Sequence, residues 1–384
     1  MLGLKNNKFL GGGVICFFAL NALSLPMAEG RVLASEIFFR QLIILAIPFC
    51  IFVTYVRNFK AIRQIAAATA IGAGVAGGIA GVEFLTKSLL AAKLAPFIMT
   101  SAQWLEITQE LKTRDGIFRA QATHTHPISL GEYLSFAAPM ALCFLATARK
   151  RARIIWAFIL ILVVIGIFAT NSRGALLALA AGTGFVAAVA FCWRVRQLQG
   201  SRFLPLAGLA SVFLIAAAPV LVTGAEKITN GDSGTSAARS TQGRIDQINM
   251  AWPKIVKRPV LGYGAGRSAR IVGYYGRALS LDNYYLSLAV ELGFPGPLCF
   301  LAILFAAIVT TLKRASDTTL QAIFQAERMV WLGLSGAMFA FLVSRMIISQ
   351  TGNLNYFFPI LGAIIGANAG RRFRRPAQFA LASG

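Results

Sequence analysis

Two arginines and one aspartate sit where chemistry is easiest to imagine. Arg173 lies between two apolar runs in IFATNSRGALLALA. A guanidinium facing lipid there is costly. Either it snorkels to headgroups at a helix end, or it faces a polar cavity and grips a phosphate or carboxylate in bidentate fashion. Arg244 heads the stretch 244–257, in which Ile245, Ile248, Trp252 and Ile255 share one stripe. That spacing predicts an amphipathic helix lying on a membrane, with Arg244 at its end against headgroups or a cavity. Asp282, with Asn283 beside it, opens LDNYYLSLAVELGFPG. A carboxylate at that point either caps a helix or accepts a proton from a reacting hydroxyl as general base; Asn283 joins it as a candidate substrate contact.

A second tier surrounds these three. Arg119, Arg267 and Arg345 are further cations that could meet an anionic ligand, and Glu291 could be a buried partner for an arginine. Lys254, Lys257 and Arg258 read as headgroup contacts. The two histidines, His124 and His126, are spaced i,i+2 with no other His or Cys in a metal pattern, so no metal is expected. His126, just ahead of Pro127, is left to orient or gate a substrate. LGYGAGRS has the glycines of a nucleotide loop but neither the Walker lysine nor a strand–turn–helix setting. Its glycines instead predict close packing of the backbone. No cofactor is implied.

The elements that must position these residues are membrane spans. The chain of 384 residues is 57% hydrophobic and 13% charged, against about 25% charged in soluble domains. The net charge of +23 does not point to nucleic acid, because the basic residues stand in short clusters between apolar blocks, which is the positive-inside pattern. At about 20 residues per crossing the blocks give about ten spans, near 9–25, 37–56, 64–85, 128–147, 153–170, 174–193, 203–222, 284–311, 329–346 and 355–370. The expectation is an all-α polytopic membrane protein of about 10–12 transmembrane helices, one integral domain over 1–384. Its first span is retained rather than cleaved. The segment Ser88–Thr100 is too short for a full crossing and reads as re-entrant or interfacial. The five cysteines lie in or at the ends of apolar blocks, so a disulfide framework is not expected.

The basic clusters around Lys5, Arg57, Arg149, Arg194, Lys313 and Arg371 all fall on one side of this topology. That side is cytoplasmic, with both termini. Three polar regions remain outside: a smaller loop at 101–127, the turn Asn171–Gly174, and one long loop at 223–282. Arginines on the outer side are not demanded by topology, which makes them candidates for an anionic ligand. A large amphipathic anion such as a polyprenyl-diphosphate sugar suits them: its tail stays in the bilayer and guanidinium groups stabilise the leaving diphosphate without a metal. A base such as Asp282 would then activate the acceptor hydroxyl for inverting attack.

TNSRGALLAL, GRIDQINMAWPKIVKRPVLGYGAG and DNYYLSLAVELGFPG, with a weaker RAQATHTHPISLGEYL, resemble the O-antigen ligase and O-antigen polymerase superfamily of bacterial envelope enzymes. The resemblance spans roughly residues 110 to 300. It implies an inner-membrane glycosyltransferase of the lipid-linked-donor, GT-C-like type, with its active site on the periplasmic face. Its donor would be an undecaprenyl-diphosphate-linked glycan, its acceptor a second glycan, with bilayer lipid and envelope polysaccharide assembly proteins as further partners. Arg173 and Arg244 fall on the family's diphosphate-contacting arginines. Asp282 stands where the ligase branch has a histidine, giving DN for HN. That departure favours a polymerase of O-antigen or exopolysaccharide repeat units over a ligase acting on lipid A-core. A transporter or flippase is the reading from another class, but it would favour polar residues deep within the spans, where this chain has few. A purely structural membrane protein would leave the outward arginines unexplained.

Overall fold

A computed structural model describes residues 8–90, 111–114, 116–199, 236–273, 281–316, 325–349 and 351–370. Helices dominate, as expected of a polytopic membrane protein. In chain order they are α1 (Lys8–Ser24), α2 (Arg31–Gln41), α3 (Ile47–Tyr55), α4 (Phe59–Thr86), α5 (Pro127–Thr147), α6 (Lys150–Ala169) and α7 (Arg173–Gln199). Then come α8 (Ser236–Lys257), α9 (Ser268–Val272), α10 (Tyr284–Leu292), α11 (Pro295–Ala315), α12 (Gln325–Ser344) and α13 (Leu354–Gly370). A two-residue hairpin, β1 (Thr113–Arg114) against β2 (Ile117–Phe118), pairs Thr113 with Phe118 and Arg114 with Ile117.

Among the described residues, eight helical stretches are long and apolar enough to cross a membrane: Lys8–Met27, Arg31–Tyr55, Phe59–Thr86, Pro127–Thr147, Lys150–Ala169, Arg173–Arg194, Pro295–Ala315 and Gln325–Ser344. The shorter apolar helix Leu354–Ala369 follows them. These account for nine of the ten expected spans; the block at 203–222 and most of Ser88–Thr100 lie outside the described residues. One boundary differs in kind. The run read as a single span over 284–311 is broken: α10 ends at Leu292, Gly293 turns with φ of 70°, and α11 starts at Pro295. The cause is local, since glycine past a helix end and proline at the next helix start are the usual stop and start signals. Asp282, Asn283 and Glu291 therefore precede the span rather than enter it.

The chain divides into two compact units. The first comprises Met1–Ile65, Gln242–Thr311 and Arg345–Gly384. Here α1 meets α11 and α13 through Phe17, whose ring lies 5.7 Å from Phe300 and 6.1 Å from Phe358. Gly362 and Gly366 on α13 back directly onto carbonyls of α3 and its end, where a Cβ would collide with Phe49 and Val56. Small residues are what let membrane helices approach this closely. A separate cluster of Ala251, Ile255, Tyr263, Val272, Leu281, Ala289 and Val290 ties α8 to α9 and α10.

The second unit comprises Ala66–Thr241 and Leu312–Ser344. Its centre is α5, almost wholly buried and packed against α6, α7 and α12. Pro139, Gly182 and Gly336 meet where α5, α7 and α12 touch. By contrast α6 leaves Ile154, Ile155, Phe158, Ile161, Ile165 and Phe168 exposed along one face and buries Ile159, Val163 and Ile167 on the other. In water such a stripe would be a liability; on a span it is the lipid-facing side.

Candidate active site

In the first unit, the geometry centres on Asp282. Residues 281–284 are held from two sides, by α8 and by the segment after α12. From α8, Gln247 sends its Oε1 to accept the Asp282 backbone N–H at 2.8 Å. From the segment after α12, Ser349 Oγ donates to the Leu281 carbonyl. From the same segment, the Arg345 carbonyl accepts the Tyr284 N–H at 3.0 Å. Asn283 is the N-cap of α10, its side-chain oxygen accepting from Leu286 N–H at 3.1 Å. Between the two acidic-site readings, cap and base, the capping task thus belongs to Asn283, and the Asp282 carboxyl is released from it.

Asp282 sits in a mixed electrostatic setting. Burial raises its proton affinity, while the Arg244 guanidinium and a hydrogen bond with Gln247 pull it back down. A carboxyl poised between a desolvating surround and a neighbouring cation is a recurrent arrangement at sites that move protons. Gln247 was not picked out from the sequence. Its signal was present, since it stands three residues after Arg244 and so shares that helix face, but its 1% exposure is a matter of tertiary packing.

The helix that brings Arg244 and Gln247 here starts earlier than expected, at Ser236, and runs through Pro253 to Lys257. Its faces also differ from the expected stripe. Gln247, Ala251 and Ile255, at i, i+4 and i+8, are buried, whereas Ile245, Ile248 and Trp252 are exposed at 41%, 46% and 56%. Ile255 therefore belongs to the packed face and not to the apolar outer one. Trp252 meets Phe294 edge-on at 6.1 Å, which extends the outer apolar face onto the start of α11.

The other candidates of this unit are engaged with protein. Arg345 is fully buried, with its guanidinium 5.1 Å from the centre of the Tyr284 ring. It is thus a cation behind the Asp282–Tyr284 backbone, not an outward-facing one. Arg267 lies flat against Gly30, a position with φ of 108° where any Cβ would strike the guanidinium. Arg258, expected at headgroups, instead donates to the Met27 carbonyl at 3.0 Å, faces Glu29 at 3.8 Å and covers the Tyr263 ring at 4.5 Å. The glycine-rich loop packs as closely as its composition suggests. Gly262, Gly264 and Gly266 have φ of 50°, 85° and 84° and back onto Val290, Ala28 and Ile37. Tyr263 and Gly264 donate to the Val290 and Glu291 carbonyls at 3.0 and 2.9 Å. Glu291 closes the loop from the other side, its carboxyl bonded to the Ser268 hydroxyl and to the N–H groups of Gly266 and Ser268. Burial outweighs these bonds and pushes it up to about 7.

In the second unit, Arg173 is the first residue of α7 and is exposed. Ser172 is buried and its Oγ accepts the Ala175 N–H at 3.4 Å, while Asn171 takes a φ of 45° to make the turn. Arg119 supports this turn from behind: its Nε donates to the Thr170 carbonyl at 2.9 Å, and Ala120 N–H donates to the Ala169 carbonyl at 3.0 Å. Arg119 is nearly buried, and that burial, with Arg114 nearby, lowers it to about 10, so it stays charged. His126 is the N-cap of α5, with Nδ1 accepting from Ile128 N–H at 3.2 Å; its proton is then on Nε2. His124 rests on Tyr133 at 5.5 Å and burial pushes it down to about 4. Each unit thus gathers its own share of the candidates: Arg244, Asp282, Asn283 and Arg345 in the first, and Arg119, His126 and Arg173 in the second.

No curated protein matches the chain. A family model described as O-antigen ligase matches residues 158–301, which include Arg173, Arg244, Asp282 and the glycine-rich loop. Together with the apolar helices, this makes the chain a multi-pass bacterial membrane protein. Over residues 158–301 the chain is thus similar to the O-antigen ligase domain of the O-antigen ligase and polymerase superfamily.

Proposed function

We propose that the chain is an inner-membrane glycosyltransferase that transfers or polymerises undecaprenyl-diphosphate-linked oligosaccharide repeat units at the periplasmic face, with inversion and without a metal. The observation that supports this most is the partly buried Asp282 carboxyl, hydrogen-bonded by Gln247 and under the electrostatic influence of Arg244. Asp282 would take the proton of the acceptor hydroxyl as that oxygen attacks the anomeric carbon. The bond to the diphosphate breaks as the glycosidic bond forms, and Arg244 would stabilise the charge gathering on the departing phosphate. Such preorganised charge is often the largest single contribution to catalysis. Arg173 is assigned a phosphate contact on the sequence reading, with Arg119 bracing its turn.

The outer apolar face of α8 supports a site at the lipid surface, where a polyprenyl tail is at home. The second reading is transfer of the glycan to lipid A-core, which the description of the matching domain favours; an aspartate in place of the ligase histidine favours polymerisation. Supplying purified protein in liposomes with lipid-linked repeat units, alone or with lipid A-core, separates the two. Lengthened lipid-linked product indicates a polymerase, glycan on lipid A-core a ligase, and unchanged donor in both arms sinks the proposal.

A further inference from the structure

We propose that Glu83 is a positioning residue for the arginine-bearing turn at Thr170–Arg173; this rests on the reading of Arg173 as a phosphate contact. Glu83 lies near the end of α4, fully buried. Both of its carboxylate oxygens accept backbone donors, one from the chain just beyond α4 and two from the distant segment 121–122. Oε1 accepts the Leu90 N–H at 2.8 Å. Oε2 accepts the Gln121 N–H at 3.0 Å and the Ala122 N–H at 2.8 Å.

Two successive N–H groups aimed at one oxygen make an anion nest of the kind that usually holds a phosphate or carboxylate ligand. Here the protein fills it with its own side chain. Ala122 adopts φ of 46°, a left-handed conformation unfavourable for a residue with a Cβ. It persists only where surrounding bonds over-determine it, and the Glu83 carboxylate supplies those bonds. The His124 N–H donates to the Gln121 carbonyl at 2.9 Å and completes the turn.

The consequence passes along the chain in two short steps. Arg119 and Ala120 immediately precede the nest, and both bond to the end of α6, at the Thr170 and Ala169 carbonyls. Arg173 follows three residues after Thr170. Removing the carboxylate therefore frees the segment 119–122, then the brace on Thr170, then the aim of Arg173. Glu83 touches no reacting atom in this scheme; it acts through Arg119 and the turn.

The test uses the full-length protein reconstituted in liposomes, with two readouts. Hydrogen–deuterium exchange of the 117–126 segment should rise at least 10-fold in Glu83→Ala while α5 and α12 keep their protection, and Glu83→Gln, which retains one acceptor oxygen, should fall between. In a transfer assay, Glu83→Ala, Arg173→Ala and the double variant should show non-additive losses, because one acts through the other. Unchanged exchange in Glu83→Ala, collapse of protection throughout α5 and α12, or additive losses would overturn the positioning role. Full transfer by Arg173→Ala would instead sink the reading of Arg173, and is distinguished by the exchange result, which does not depend on activity.

Discussion

At the scale of single residues, Asp282 is the group we propose as the base. Its carboxyl is raised by burial and lowered by Arg244, so the two residues should be separable by pH. A base works when ionised, so transfer should fall as pH drops through the raised value. Arg244→Gln removes the lowering influence and should move that acid limb to higher pH, besides slowing transfer by about 10²–10³-fold, the loss typical of removing one preorganised charge-stabilising group. Asp282→Asn should slow transfer by about 10²–10⁴-fold, the usual range for a lost general base, and abolish the limb. A pH–rate profile of the three proteins checks both, and coincident limbs in the wild type and Arg244→Gln would disconnect the pair. Arg173→Ala should cost a similar factor while the protein still inserts, as read by its yield in the membrane fraction.

At the scale of elements, the glycine-rich loop and Glu291 form a unit whose stability can be tested without any substrate. Gly264→Ala and Gly266→Ala put a Cβ at positive φ and into Ala28 and Ile37. Each should destabilise by more than about 1 kcal/mol, where alanine at a compatible backbone would instead stabilise, seen as a lowered melting temperature in detergent; an unchanged temperature would mean the loop tolerates another path. Glu291 acts through protonation. Its folded value is raised from 4.5 to about 7, so the folded state holds the proton more tightly than the unfolded one. By linkage its contribution is fully present below about pH 4.5 and is lost as pH rises through about 7. Glu291→Gln, neutral at every pH, should flatten the decline in stability between pH 5 and 8; an unaltered slope in thermal unfolding across that window would assign the dependence elsewhere.

The same elements show what could be read in advance. Span after span was legible because about 20 apolar residues must cross a bilayer, and basic clusters mark where they end. The α10–α11 break was missed although ELGFPG spells a stop and a start, because hydropathy alone does not register a turn. On α8 the periodicity identifies the helix and three of the four stripe residues, but Ile255 and Gln247 are buried by neighbours that only the fold supplies. From sequence Arg345 reads as an outward cation, because the end of a span looks exposed there; its stacking on Tyr284 depends on residues some sixty positions apart meeting. Glu83 left no mark at all, since one acid at the end of an alanine-rich helix resembles an ordinary helix end until its three backbone donors are in place.

At the scale of the whole molecule, the proposed topology has both termini in the cytoplasm and Ser172 and Ser240 on the outer side. Because Ser172 is buried, the test uses Ser240: a cysteine placed there should react with an impermeant maleimide added to intact cells, and reaction only after lysis would invert the topology. The central claim is that this membrane protein moves a glycan off a lipid diphosphate using Arg244 and Asp282. The most direct measurement is transfer of labelled repeat units from an undecaprenyl-diphosphate donor by purified protein in liposomes, with Arg244→Ala and Asp282→Asn run beside it. The account predicts longer or transferred glycan from the wild type and about a hundredth of that or less from either variant; an inactive wild type, or variants that match it, would contradict it.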